Sequence, residues 1–128
     1  MFNSTVTAVA VAQDPKFYSV EDLKTIVAEA KDAARKAAQT FINDELDGED
    51  RFACGFAWVS IHGVKGNTKL GKNLKAAGVE QAWDRSFQIW NPAEVGFQNI
   101  DCKEVGARAA AEVFKRYGFT AYAGARLD

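Results

Sequence analysis

The chain has 128 residues, a formal net charge of −1, 48% hydrophobic residues and 26% charged residues. These values are typical of one globular domain that can bury a core without disulfides. A net charge near zero argues against a strongly basic nucleic-acid-binding surface overall, although it permits a local basic patch. No apolar run approaches the roughly 18 residues of a membrane span.

The N-terminal residues 1–18 are predicted to form an arm or an edge strand, and residues 19–128 a single domain. Residues 4–12 are β-prone and uncharged, so they are compatible with an edge strand, an arm exchanged with a neighbour, or a mobile tail. No Lys or Arg precedes the apolar run of residues 8–12, which argues against a secretory signal. We therefore expect an intracellular, cytoplasmic protein.

The first predicted helix covers residues 20–43. Ser19 and Asp22 match a capping box in which Asp replaces the usual Glu. Apolar residues then recur at steps of three and four, namely Leu23, Val27, Ala30, Ala34, Ala37 or Ala38, and Phe41. Because this stripe is mostly alanine, the helix can lie close to a sheet. The acidic segment of residues 44–50 lacks EF-hand spacing and is predicted to be a solvated loop.

The segment of residues 52–62 is predicted to be the central strand. Successive side chains of a strand point to opposite faces, so Phe56, Trp58 and His62 share one face, while Ala57 and Val59 lie on the other. One face is therefore aromatic, and the other is small enough for alanine-lined helices.

Two later segments show a compatible alternation. In residues 86–90, Phe87 and Ile89 face one way and Trp90 the other, and in residues 119–125 Tyr122 lies opposite the alanines and on the side of Arg126. These strands would extend the aromatic face of residues 52–62.

Two further helices are predicted between the strands. A short helix ends at Ala77 and carries Lys69, Lys72 and Lys75 on its outer face. Another begins with a capping box at Asp101 and Glu104 and ends at Tyr117, with Gly118 as its C′ residue. Its predicted buried stripe is Val105, Ala109, Ala110, Val113, Phe114 and Tyr117. Gly106 is expected to allow close contact with the sheet.

The predicted fold class is α+β. A small sheet of three or four strands carries two alanine-rich helices on one face, in the order (β)-α-β-α-β-α-β. The cysteines Cys54 and Cys102 are predicted to be buried free thiols in a reducing compartment.

The sequence offers no catalytic set. The single histidine, His62, has no obvious Ser, Cys or acidic partner in sequence, so it is expected to be a strand-end histidine in a hydrogen bond. One His with two distant Cys is too few for a zinc site. The run Gly66–Lys72 has phosphate-loop spacing but continues with Asn73 where that loop needs Ser or Thr. We expect no cofactor, no metal and no catalytic residue.

Several stretches resemble small uncharacterised proteins of tailed bacteriophages. They are the block Cys54-Gly-Phe-Ala-Trp-Val59, Trp90, residues 103–111, Tyr117-Gly118 and the terminal Arg126-Leu-Asp128. The likeness covers roughly residues 50–128. That group has no established activity, so the resemblance implies a viral origin and the cytoplasm of an infected host cell, and it assigns no functional residue.

Three functions are compatible with the sequence. The favoured hypothesis is a non-catalytic phage accessory protein that contacts a host or phage protein or forms a homo-oligomer. The alternative is a binder of an anionic ligand, either a nucleotide or single-stranded nucleic acid. A small hydrolase using His62 with Asp128 or Cys54 ranks last. The candidate ligand-binding or partner-binding residues are Phe56, Trp58, Trp90, Tyr122, Lys69, Lys72, Arg126 and His62.

Overall fold

The structure is a computed structural model that describes residues 10–128. Three helices and four strands follow a short 3₁₀ turn at Pro15–Phe17. They are α1 (Val20–Glu45), β1 (Gly55–His62), α2 (Lys69–Ala76), β2 (Glu80–Gln81), β3 (Phe87–Trp90), α3 (Ile100–Arg116) and β4 (Thr120–Leu127). None of the helices in this part of the chain is long and apolar enough to cross a bilayer.

The four strands form one sheet in the order β2-β3-β1-β4, and every neighbouring pair is antiparallel. From β1 onward, the order β-α-β-β-α-β with this arrangement is the split β-α-β, or ferredoxin-like, topology. Helix α1 precedes it. The predicted α+β class, with a small sheet and helices on one face, is confirmed.

The fourth strand is not the one that the N-terminal sequence suggested. It is β2, a two-residue strand that pairs with β3. The predicted edge strand, exchanged arm or tail of residues 4–12 lies mostly outside the described residues, and residues 10–12 form no strand.

Helix α1 begins as predicted. The Asp22 amide donates to Ser19 Oγ, and the Ser19 amide donates to Asp22 Oδ2, each at 3.0 Å. The buried face is the predicted stripe with small changes, because Ile26 and Ile42 join it and Phe41 is only partly buried. It consists of Leu23, Ile26, Val27, Ala30, Ala34, Ala38 and Ile42.

Helix α3 departs from the prediction at its N-terminus. It begins at Ile100, and its cap is Asn99, whose Oδ1 accepts from the Cys102 amide at 2.8 Å. Asp101 is therefore already inside the first turn, and the Glu104 carboxylate pairs with Arg108 at 2.8 Å instead of capping the helix. The buried face shifts accordingly, so that Val105 and Ala109 are only half-buried.

Gly106 allows a close contact, but its partner is not the sheet. A Cβ on Gly106 would lie 2.9 Å from Ala93 Cβ and 3.2 Å from the Ala34 carbonyl oxygen. Gly106 therefore sets the approach of α3 to α1 and to the loop after β3. At the other end of α3, Gly118 has φ +93° and is the C′ residue that the sequence predicted.

The central strand starts later than predicted. Phe52 has φ 69°, so the chain bends there, and regular pairing begins at Gly55. Cys54 makes only an isolated bridge with Asn99 and is exposed, which corrects the prediction that it is buried; Cys102 is buried, and both thiols are free. The segment 44–50 is not wholly the predicted solvated loop, because residues 44 and 45 end α1 and Leu46 is buried. Its other residues are exposed, and Asp50 accepts from the Gln98 and Asn99 amides at 2.7 and 3.0 Å.

The predicted alternation of the central strand is confirmed. Ala57, Val59 and Ile61 are buried under the helices, whereas Phe56 and His62 point away and are exposed. The core therefore lies between one face of the sheet and the helices. The other face has no helix of residues 10–128 over it.

Candidate functional site: an open aromatic sheet face

The face of the sheet that points away from the helices is open to solvent. We call it the open face. It consists of Phe56, Trp58, Ser60 and His62 of β1, Gln88 and Trp90 of β3, and Tyr122, Gly124 and Arg126 of β4. Three of its rings are substantially exposed, namely Phe56 at 38%, Trp90 at 44% and Tyr122 at 56%.

Three rings cluster at one end of this face. Trp58 and Trp90 are paired across β1 and β3, with ring centroids 4.7 Å apart and planes inclined by 30°. Phe56 meets Trp90 edge-on at 6.4 Å. On the other side, Trp58 lies over Gly124 of β4, where a Cβ would overlap the indole. The result is a stepped aromatic surface on the two central strands.

A chain of side-chain hydrogen bonds runs along β3 and holds the exposed indole. Trp90 Nε1 donates to Gln88 Oε1 at 3.0 Å, Gln88 Nε2 donates to Ser86 Oγ at 3.3 Å, and Ser86 Oγ donates to Asp84 Oδ1 at 2.7 Å. The Ser86 hydroxyl and amide lower the pKa of Asp84, so its carboxylate stays charged and accepting. Sequence reasoning missed this chain, although polar residues at alternate positions 84, 86 and 88 were a signal for it.

Two cations accompany the aromatic cluster. The Arg126 guanidinium carbon lies 5.5 Å from the Phe56 ring centroid and 5.9 Å from that of Trp90. Lys103 is buried and donates from Nζ to the Gly55 carbonyl at 3.0 Å, with Nζ 5.7 Å from the Phe56 ring. Neither forms an ion pair with a carboxylate of the described chain, so both leave positive charge at the rings.

The opposite end of the open face is more polar. Ser60 Oγ and His62 Nε2 are 2.9 Å apart, and the Ser60 hydroxyl also lies 3.4 Å from the Tyr122 carbonyl. The His62 and Tyr122 rings are 5.5 Å apart. His62 is thus held in a hydrogen bond, as predicted for a strand-end histidine, but its partner is Ser60 of the same strand, which corrects the expectation that it has no serine partner.

The structure separates His62 from the partners that a hydrolase was expected to use. The Asp128 amide donates to the Cys54 carbonyl just beyond the start of β1, whereas His62 ends that strand. Eight residues of extended chain correspond to about 26 Å. His62 therefore forms no catalytic pair with Asp128 or Cys54.

A second concave surface adjoins the His62 end. We call it the basic groove; it has a volume of about 770 Å³ and is lined by Val64, Lys65, Gly66, Asn67, Lys75, Gln81 and Arg85. The sequence pointed instead to Lys69 and Lys72, which are exposed on α2 but do not line this groove. Of the other predicted residues, Phe56, Trp58, Trp90 and Arg126 cluster, and His62 and Tyr122 share the far end of the same face.

The fold and the site define an α+β protein with a ferredoxin-like sheet, one face of which is aromatic and open. Comparison with known proteins gives no matching family model, no matching curated protein and no matching solved structure. A functional proposal therefore depends on the chemistry of the site itself.

Proposed function

We propose that the protein binds single-stranded nucleic acid on the open face. The observation that carries this proposal is the cluster of Phe56, Trp58 and Trp90 on the two central strands, in which Phe56 and Trp90 are exposed and Trp58 is half-buried. Arg126 lies beside the rings of Phe56 and Trp90. Sheet-borne aromatic rings are the platform on which several RNA-binding modules stack unpaired bases. Each stacked base contributes about 1–3 kcal/mol, with little dependence on its identity.

The charge distribution supports an anionic ligand. Of the sixteen Lys and Arg residues, nine form ion pairs with carboxylates of the described chain. The other seven are Lys65, Lys69, Lys72, Lys75, Arg85, Lys103 and Arg126. Five of them belong to the segment around α2, Arg126 belongs to the open face, and Lys103 of α3 reaches the edge of that face beside the Phe56 ring. A net charge of −1 thus coexists with a concentration of uncompensated positive charge next to the rings.

The second candidate is a protein contact on the same face. Trp, Tyr and Arg are the residues most enriched in interface hot spots, and Trp90, Tyr122 and Arg126 are all exposed here. A homo-oligomer, or a host or phage protein, is the partner that the resemblance to tailed-phage proteins leads us to expect. The uncompensated cations make nucleic acid the better-supported ligand, since an apolar partner would leave them unused.

Tryptophan fluorescence tests the proposal directly. Trp83 is 96% exposed in the turn between β2 and β3, so Trp83→Phe removes its background and leaves only Trp58 and Trp90. Titration with a ten-nucleotide oligothymidylate at low salt should quench the remaining emission. In this background Trp90→Ala should weaken binding about tenfold or more, because one stacking ring is lost.

Phe17→Ala is the matched control, because Phe17 is also an exposed aromatic residue but lies in the 3₁₀ turn before α1. It should leave the affinity unchanged. Absence of both quenching and a change in the anisotropy of a labelled oligonucleotide would overturn the proposal. Light scattering that shows a dimer in the wild type and a monomer in Trp90→Ala would instead assign the face to a protein contact.

A further inference from the structure

We propose that the basic groove binds phosphates of the strand whose bases stack on the open face. This inference rests on the proposed function and extends its site to Lys65, Lys75 and Arg85, which are not among the candidate site residues named from the sequence. Three cations line the groove, Lys65, Lys75 and Arg85, and its lining includes no Asp or Glu. None of the three forms an ion pair within the described chain, so their charge is available to a ligand.

The groove is continuous with the open face. A shallower concavity beside it is lined by His62, Gly63, Val64, Lys65, Asp84, Arg85 and Ser86, so it shares Lys65 and Arg85 with the groove. His62 also belongs to the open face, where it contacts Tyr122. From Phe56 to His62 the face extends about 20 Å along β1. A strand that crosses the rings therefore reaches the groove at the His62 end.

The walls of the groove are held in place without a ligand. Thr68 Oγ1 donates to the Lys65 carbonyl at 2.6 Å and accepts from the Gly71 amide at 3.1 Å, which fixes the loop between β1 and α2. On the other wall, Gln81 Nε2 donates to the Arg85 carbonyl at 3.1 Å. Because the backbone on both sides is already ordered, binding has to order only the cationic side chains.

Arg85 has a backbone conformation that glycine adopts more easily than arginine. Its φ is 73°, in the left-handed region that favours glycine. Arg85→Gly should therefore keep or raise the denaturation midpoint while it removes one cation from the groove. This variant separates loss of binding from loss of folding.

One carboxylate lies beside the groove. Asp84 lines the concavity next to His62 together with Lys65 and Arg85. Its Oδ1 accepts from both the amide and the hydroxyl of Ser86, and it forms no ion pair with either cation in the described chain. Three cations without ion pairs in an open groove fit a series of phosphodiesters better than a small apolar molecule. This extends the footprint beyond the bases that stack on the rings.

The test compares two triple variants by fluorescence anisotropy over a range of salt concentrations. Lys65→Ala, Lys75→Ala and Arg85→Gly together remove the groove cations. Lys24→Ala, Lys36→Ala and Lys115→Ala remove the same charge from the helix layer, where these lysines pair with Glu21, Asp32 and Glu112. With a ten-nucleotide oligothymidylate, the groove variant should bind at least tenfold more weakly. Its log–log salt slope should fall by about 2, because each phosphate contact to a single strand contributes about 0.7.

Two further measurements separate failure of the groove proposal from failure of the open-face proposal. The groove variant should still show full tryptophan quenching at saturation, and its affinity for a thymidine dinucleotide should be unchanged, because a dinucleotide does not reach from the rings to the groove. Equal affinity and salt slope in the two triple variants would overturn the groove proposal and leave the open-face proposal standing. No binding of the ten-nucleotide strand to the wild type would overturn both.

Discussion

Trp58 and Trp90 lie directly opposite each other across β1 and β3, and their ring centroids are 4.7 Å apart. Such cross-strand aromatic pairs contribute about 0.5–1.5 kcal/mol beyond their buried area. Here the pair lies on the side of the sheet that carries no helix of the described chain. Stabilisation of the fold alone therefore does not explain why these rings lie on a solvent-exposed face. The pair gives the open face a rigid aromatic ridge with Phe56 at its edge.

The first prediction concerns the glycine beneath this pair. Gly124→Ala should displace the Trp58 ring, since a Cβ at this position would overlap the indole. Unfolding in urea should show a loss of about 1–2 kcal/mol, as expected for overpacking. The near-ultraviolet circular dichroism of the coupled indoles should also decrease.

Gly96→Ala is the control for this substitution, because a Cβ on Gly96 would meet no atom within 4 Å. It should change neither the denaturation midpoint nor the indole signal. Unaltered circular dichroism in Gly124→Ala would show that Trp58 does not depend on the space above Gly124.

The second prediction concerns the start of α3. Asn99 is fully buried, caps the Cys102 amide, and donates from Nδ2 to the Arg51 carbonyl at 2.8 Å. Asn99→Ala should lower the free energy of unfolding by about 2 kcal/mol, because it removes a cap and leaves buried polar groups without partners. Asp101→Ala should cost no more than about 0.5 kcal/mol, since the exposed Asp101 contributes only through the helix dipole. The reverse ranking in urea denaturation would restore Asp101 as the cap.

The third prediction tests why α3 contains a glycine. Gly106→Ala gains about 1 kcal/mol of helix propensity, but the new methyl group would lie 2.9 Å from Ala93 Cβ. Overpacking of this kind costs about 1–3 kcal/mol, so the net effect on the unfolding free energy should be destabilising. Ala93→Gly in the same molecule should recover part of the loss, with a coupling of at least about 0.5 kcal/mol in the double-mutant cycle. A stabilised Gly106→Ala variant would contradict the close approach.

The sequence predicted correctly those features that depend on a short-range pattern of residues within one helix or strand. Alternation along residues 55–62 assigned Phe56 and Trp58 to one face and Ala57 and Val59 to the other, because the side chains of a strand alternate strictly. The same rule placed Trp90 and Tyr122 on the aromatic side, and the Ser19 cap followed from local spacing. The composition of the open face was therefore predictable before its neighbours were known.

The features that could not be predicted from the sequence depend on contacts between residues far apart in the chain. The Asn99 side chain caps α3 while its backbone amide donates to Asp50, 49 positions earlier in the chain. This long-range contact places the cap at Asn99 and not at the predicted Asp101. The three groove cations are 10 to 20 positions apart and meet only because the β1–α2 loop and the β2–β3 turn are adjacent. Lys69 and Lys72, the candidates named from the sequence, lie on α2 outside the groove lining. Because they and the groove cations all lack ion pairs in the described chain, only their positions in the fold distinguish the two sets.

The last prediction concerns the alkaline limit of stability. Tyr117 is buried at the end of α3, and its hydroxyl donates to Glu29 Oε1 at 2.6 Å. Burial, assisted by the hydrogen bond to the Glu29 carboxylate and by its charge, raises the pKa of Tyr117 to about 12. An unfolded tyrosine loses its proton near pH 10. The folded state therefore binds more protons between pH 10 and pH 12, and stability must fall as the pH rises through this window.

Tyr117→Phe isolates this effect, since it keeps the ring against Tyr18 and removes the titrating hydroxyl. Near neutral pH the variant should be less stable than the wild type by about 1.5–3 kcal/mol, the usual net contribution of a hydrogen bond to a charged group. Because the wild type alone loses this contribution as Tyr117 ionises, the difference between the two urea midpoints should be constant up to about pH 10 and shrink towards pH 12. The difference cancels the other tyrosines and the lysines, which titrate in both proteins. A gap that stays constant across the window would mean that the Tyr117 hydroxyl ionises equally in the folded and unfolded chains.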